Sequence, residues 1–97
     1  MTFVQIIDYR TDEPNGGESL GDEWQRATEG KRTARRALTC QDRKDPSHYM
    51  TIVFFDSYES AMENSELPET QELAENMTTI VAEPATFHDL DVLRDRS

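Results

Sequence analysis

The chain has 97 residues, is 35% hydrophobic, and carries twenty acidic against ten basic residues, a formal charge of −10. A chain of roughly 50–200 residues normally forms one core, so residues 1–97 read as a single domain, and the acidic excess argues against nucleic acid and membrane surfaces as partners. No apolar stretch reaches the roughly 18 residues of a membrane span, MTFVQIIDYR lacks the pattern of a signal peptide, and the single cysteine, Cys40, cannot staple the chain to itself, which predicts a soluble, cytoplasmic protein.

Residues 3–10, FVQIIDYR, are β-branched and aromatic, the composition of a partly buried strand. TDEPNGGES follows, with Asp12, Pro14, Asn15, Gly16 and Gly17 marking a loop. From Ser19, a suitable N-cap, Leu20, Trp24 and Ala27 recur at helical spacing, and Gly30 is the natural stop. Two strands, about 33–42 and 48–56, are joined through RKDPS as a hairpin, the first arm less cleanly alternating and so less buried. Ser57 caps a short helix with Tyr58, Ala61, Met62 and Ser65 on one face. Leu67-Pro68 interrupts it, and a second helix runs from Pro68 through Val81 until Pro84 ends it. Residues 85–93 alternate as a last strand, and the tail RDRS is expected to fray.

The order β-α-β-β-α-β is that of the ferredoxin-like unit, an α+β fold in which right-handed crossovers put both helical regions on one face of a four-stranded antiparallel sheet. Yet HYMTIVFF, residues 48–55, is apolar on both sides: His48, Met50, Ile52 and Phe54 alternate with Tyr49, Thr51, Val53 and Phe55. Burying one Phe, Val or Ile is worth roughly 1.5–3 kcal/mol, so both faces need cover. A second copy pairing sheet to sheet, a homodimeric α/β barrel, is the simplest source.

The run FFDSYESAMENSELPETQELAENMTTIVAEPATFHDLDVL resembles the second half of the dimeric α/β-barrel superfamily that includes the antibiotic-biosynthesis monooxygenases. The resemblance is carried by Phe54, Phe55, Ser57, Pro68, Glu69, Pro84 and Phe87 to Val92. It implies a cavity between sheet and helices, and an oxygenase that acts on a small aromatic or polyketide-type molecule without a cofactor. In that family asparagine, tryptophan, tyrosine and arginine orient a phenol and stabilise an oxyanion. Tyr9, Trp24, Tyr58 and Asn64 are the ligand-pocket candidates here, although an aromatic in such a place is more often a core anchor. A haem-degrading branch of the superfamily is disfavoured, because no histidine lies between 49 and 87.

His48 and His88 join the candidates as groups able to move a proton, but neither has metal-ligand spacing and no metal is predicted. Cys40 reads as a structural thiol. Lys31, Arg32, Arg35, Arg36, Arg43 and Lys44 form one basic band in an acidic chain, either a solvated surface or a recognition edge. The alternative to an enzyme is therefore a non-catalytic dimer that binds a small ligand or another protein; a third is a structural protein with no pocket.

Overall fold

The computed structural model describes residues 1–96; Ser97, the last residue of the expected frayed tail, lies outside them. Strand β1 spans Phe3–Arg10, helix α1 Pro14–Ala27, strand β2 Arg36–Gln41, strand β3 His48–Phe55, helix α2 Tyr58–Glu66, helix α3 Pro68–Met77 and strand β4 Thr86–Asp91. The four strands form one antiparallel sheet in the order β2-β3-β1-β4, the ferredoxin-like arrangement.

The boundaries of five elements differ from the expectations. Helix α1 begins at Pro14, not Ser19, because Pro14 occupies a first-turn position where its missing N–H costs nothing. The Thr11 hydroxyl stabilises this entry, accepting the Glu13 N–H at 2.9 Å and donating to the Ile80 carbonyl at 2.5 Å. Gly16 and Gly17 are therefore helical, and a side chain on either would meet Ile80. Helix α3 ends at Met77 rather than continuing through Val81. Thr78 and Thr79 bend their hydroxyls back onto the Glu75 and Asn76 carbonyls, at 2.6 and 2.7 Å, and compete with helical continuation. Strands β2 and β4 are shorter than 33–42 and 85–93, and β3 stops at Phe55. On α2 the buried residues are Ala61 and Asn64, whereas Tyr58 and Met62 are 51% and 44% exposed.

Other features match the sequence. Ser57 caps α2 by accepting the Ser60 N–H at 3.1 Å. Leu67 is extended before Pro68, and Gly30 takes φ +81°, the left-handed conformation that ends the turn after α1.

Pairing register assigns the faces. Phe3, Gln5, Ile7 and Tyr9 lie opposite Phe55, Val53, Thr51 and Tyr49 on the inner side, where Phe3, Phe55 and Ala61 of α2 make the core, with Ala34 and Val53 against it. This core occupies one end of the sheet; α1 and α3 pack on each other and contribute no buried residue. The opposite, outer face presents Ile6, Leu38, Met50, Ile52, Phe54 and Leu90, all partly or largely exposed, with Arg36 stacked 5.7 Å from the Phe54 ring. Among the described residues no helix covers it.

Candidate functional site

The six residues singled out by sequence fall into separate places. At the amino-terminal end of β1, Tyr58 meets the Phe3 ring edge-on, 5.5 Å between centroids. Farther along α2, buried Asn64 turns its Oδ1 to accept the Thr33 N–H at 3.2 Å, while Thr33 donates its hydroxyl to the Ser60 carbonyl at 2.5 Å. These bonds anchor the segment entering β2. They also commit the Asn64 carbonyl and leave its Nδ2 amide as the donor available to a ligand.

Trp24 sits between α1 and α3, in a groove shared with Leu20, Ala27, Leu73 and Asn76. Its Nε1–H donates to the Thr70 hydroxyl at 2.9 Å, and the Arg32 guanidinium lies 5.8 Å from the ring centroid, a cation–π contact. Arg32 is held by donating to the Gln25 carbonyl at 2.7 Å. In the same groove the Lys31 ammonium meets Glu69 at 2.6 Å and holds that carboxyl below its usual range.

Tyr9 is six residues from Phe3, about 20 Å at the rise of an extended strand. It is buried and stacks on Tyr49 with centroids 5.8 Å apart and planes 16° from parallel. Tyr49 also borders an open cleft of about 470 Å³ near the start of α1, lined by Thr11, Pro14, Gln41 and Pro46. The Tyr9–Tyr49 pair and the Tyr58–Asn64 pair thus mark opposite ends of the inner face. Between them Gln5, Ile7 and Thr51 remain partly exposed, and Phe87 is 57% exposed. The helix layer leaves these side chains of the middle of the sheet open to solvent.

His48 and His88 are on the outer face, not with the tyrosines. The His48 ring is held by two carboxylates, Nε2 to Asp8 at 2.6 Å and Nδ1 to Asp42 at 3.1 Å. Both contacts, Asp8 first, raise its pKa. When protonated, the ring donates from both nitrogens and keeps no lone pair with which to accept a proton. Asp42 is in turn held below the usual carboxylate range by the Lys44 N–H and then His48, and Asp45 by Ser47 and then Arg10. His88 lies beside Ile6 in register and is exposed.

Sequence reasoning missed Asp8, Asp42 and Tyr49 as partners. The signal was alternation: Asp8 and His48 share a face once β1 pairs with β3, and so do Tyr9 and Tyr49. The basic band is largely committed to local contacts: Lys31 to Glu69, Arg32 to Trp24, Arg35 to Asp56 at 2.5 Å, and Arg36 to Phe54. Among the described residues no cluster of three or more His, Cys, Asp or Glu is arranged to hold a metal ion, and no helix is long and apolar enough to cross a membrane.

No protein-family model matches the sequence, and no curated protein does. Solved structures match closely in shape. Rv0793 from Mycobacterium tuberculosis superposes with a TM-score of 0.82 over 100% of both chains at 13% identity. SnoaB, a cofactor-independent oxygenase from Streptomyces nogalater, gives 0.81 at 9% identity, covering 97% of this chain and 95% of its own. A Nitrosomonas europaea protein provisionally described as an antibiotic biosynthesis monooxygenase gives 0.80 at 14% identity over 95% and 90%. At such identities the likeness is one of fold: the chain has the ferredoxin-like fold of antibiotic biosynthesis monooxygenase-like proteins.

Proposed function

We propose that two copies of this chain pair through their outer sheet faces, and that each copy binds a small aromatic or polyketide-type molecule between its inner face and its helices and oxygenates it without a cofactor. The observation that carries this reading is the partly exposed inner face, with Ile7 and Phe87 as apolar side chains and the stacked Tyr9 and Tyr49 at one end. A planar ring would find aromatic and aliphatic contacts there, with the Asn64 Nδ2 and the second Nε2 hydrogen of Gln5, whose first is donated to Asp89 at 3.0 Å, as hydrogen-bond donors. Such chemistry asks little of the protein. An electron-rich phenolate reduces oxygen itself: one oxygen atom enters the ring as the new quinone carbonyl, and the other leaves as water with the two displaced ring and phenol hydrogens. The protein's part is to desolvate the ring and stabilise the phenolate oxyanion.

A second reading is favoured by a specific observation. The Trp24 N–H is committed to Thr70 and the Asn64 carbonyl to Thr33, so these polar groups serve the scaffold, as expected of a dimer that binds a ligand without turnover. Incubation with a hydroxylated polycyclic aromatic under oxygen separates the two. Quinone absorbance that appears with the native protein and is lost in folded Asn64→Ala and Phe87→Ala supports the oxygenase. Saturable binding with no product across a panel of phenols overturns it in favour of the binder.

A further inference from the structure

The outer face carries a charged cluster at one end of its apolar strip. His48 is only 14% exposed through its side chain, against 28% for Asp8 and 39% for Asp42, so the three already exclude much of the water around them. The facing charged groups are few. From β1 come Asp8 and Arg10; from the β2–β3 turn come Asp42 and Asp45, with Arg10 paired to Asp45 and Arg43 and Lys44 exposed nearby. Cys40 on β2 and His88 on β4 share the face.

We propose that the Asp8–His48–Asp42 clamp makes association of two copies through this face proton-dependent. The proposal rests on the dimer reading above and specifies its regulation. Packed sheets sit about 10 Å apart, which leaves no room for a hydration shell over the clamp. While His48 is an imidazolium, both carboxylates keep a charged donor. A neutral imidazole has one N–H and serves one of them, so the other would be buried beside a like charge without its charged donor, Asp8 with no other side-chain partner among the described residues and Asp42 left to the uncharged Lys44 N–H at 2.8 Å, an unfavourable outcome. Assembly therefore retains the His48 proton, and the dimer weakens as pH rises past the value at which the free subunit releases it. The raised pKa of His48 in the single subunit places that release above the ordinary histidine range. A two-fold dimer has two such clamps, so its dissociation constant can rise by up to about 100-fold per pH unit in that window.

Sedimentation equilibrium of the native chain from about pH 6 to about pH 9 tests this. The expected result is a dimer tightest at the acid end that loosens steeply with pH, with circular dichroism unchanged. His48→Gln should give weak association without the slope. The neutral triple variant Asp8→Asn, His48→Gln, Asp42→Asn should associate at every pH. If variants fail to fold, calorimetric dilution of the native dimer in two buffers of different ionisation enthalpy still reads proton release on dissociation. A native dimer of constant affinity across the range, or a slope that disappears with His88→Gln or Cys40→Ser instead of His48→Gln, overturns the clamp and leaves the dimer reading standing. A native chain and triple variant that remain monomeric throughout overturn both.

Discussion

Asn64 and Thr33, thirty-one positions apart, are joined by a hydrogen bond from the Thr33 N–H to the Asn64 Oδ1 at 3.2 Å. A residue of the type an oxygenase would use for an oxyanion is thereby also the anchor between α2 and the approach to β2. Asn64→Ala leaves a backbone donor unpaired in a part-buried place and is expected to cost about 1–3 kcal/mol. Urea unfolding checks it, and a loss below about 0.5 kcal/mol would show the bond to be dispensable. Any activity lost in this variant has to be read against that change in stability.

Trp24→Phe separates the ring from its polar tip. It keeps most of the apolar surface in the α1–α3 groove but removes the N–H donated to Thr70, so a cost of about 0.5–1.5 kcal/mol is expected by chemical denaturation. Trp24→Ala should cost more, because Arg32 loses its aromatic platform as well. Equal effects of the two substitutions would mean that the hydrogen bond carries the whole contribution.

Two glycines should respond with opposite sign. Gly21 lies inside α1, and a methyl group added there would meet nothing within 4 Å, so Gly21→Ala should stabilise by about 0.5–1 kcal/mol. Gly30 has φ +81°, and Gly30→Ala should destabilise by about 1–2 kcal/mol. Thermal melts that move in the same direction for both would refute either the helical conformation at Gly21 or the turn at Gly30.

The pH profile of stability should have two limbs. His48, its pKa raised by Asp8 and Asp42, stabilises below its unfolded value and loses that contribution as pH rises through the folded one. Asp42 and Asp45 have lowered pKa values, so their contributions are present above the unfolded carboxylate range and disappear as pH falls through the folded values. His48→Gln should abolish the alkaline limb while leaving the acid limb due to Asp45, whose partners are Ser47 and Arg10, and the part due to Asp42 that the Lys44 N–H sustains. Scanning calorimetry across pH reads both; an alkaline limb that persists in His48→Gln would assign it elsewhere.

Much of the fold was legible because local rules agree with the global arrangement. The strand at 3–10, the Ser57 cap, the Leu67-Pro68 break and the Gly30 turn each follow from backbone chemistry within a few residues. The missed start of α1 shows where that reading ends. Gly16 and Gly17 look like loop residues until Ile80, more than sixty positions away, is placed against them. The candidate residues were less legible still, since Trp24 and Tyr58 are separated from Tyr9 by choices of face and end that periodicity within one element does not encode.

By itself the order of residues determined the element types, their succession, and that β3 would be apolar on both sides, since alternation along a strand is a property of its own backbone. Only the tertiary structure decided which residues face each other: that His48 lies between Asp8 and Asp42, that Tyr9 stacks on Tyr49, and that Lys31, Arg32, Arg35 and Arg36 of the basic band are drawn into ion pairs and cation–π contacts. Those outcomes depend on strand register and helix placement, where a shift of one residue exchanges the two faces of a strand, and no single segment carries that information.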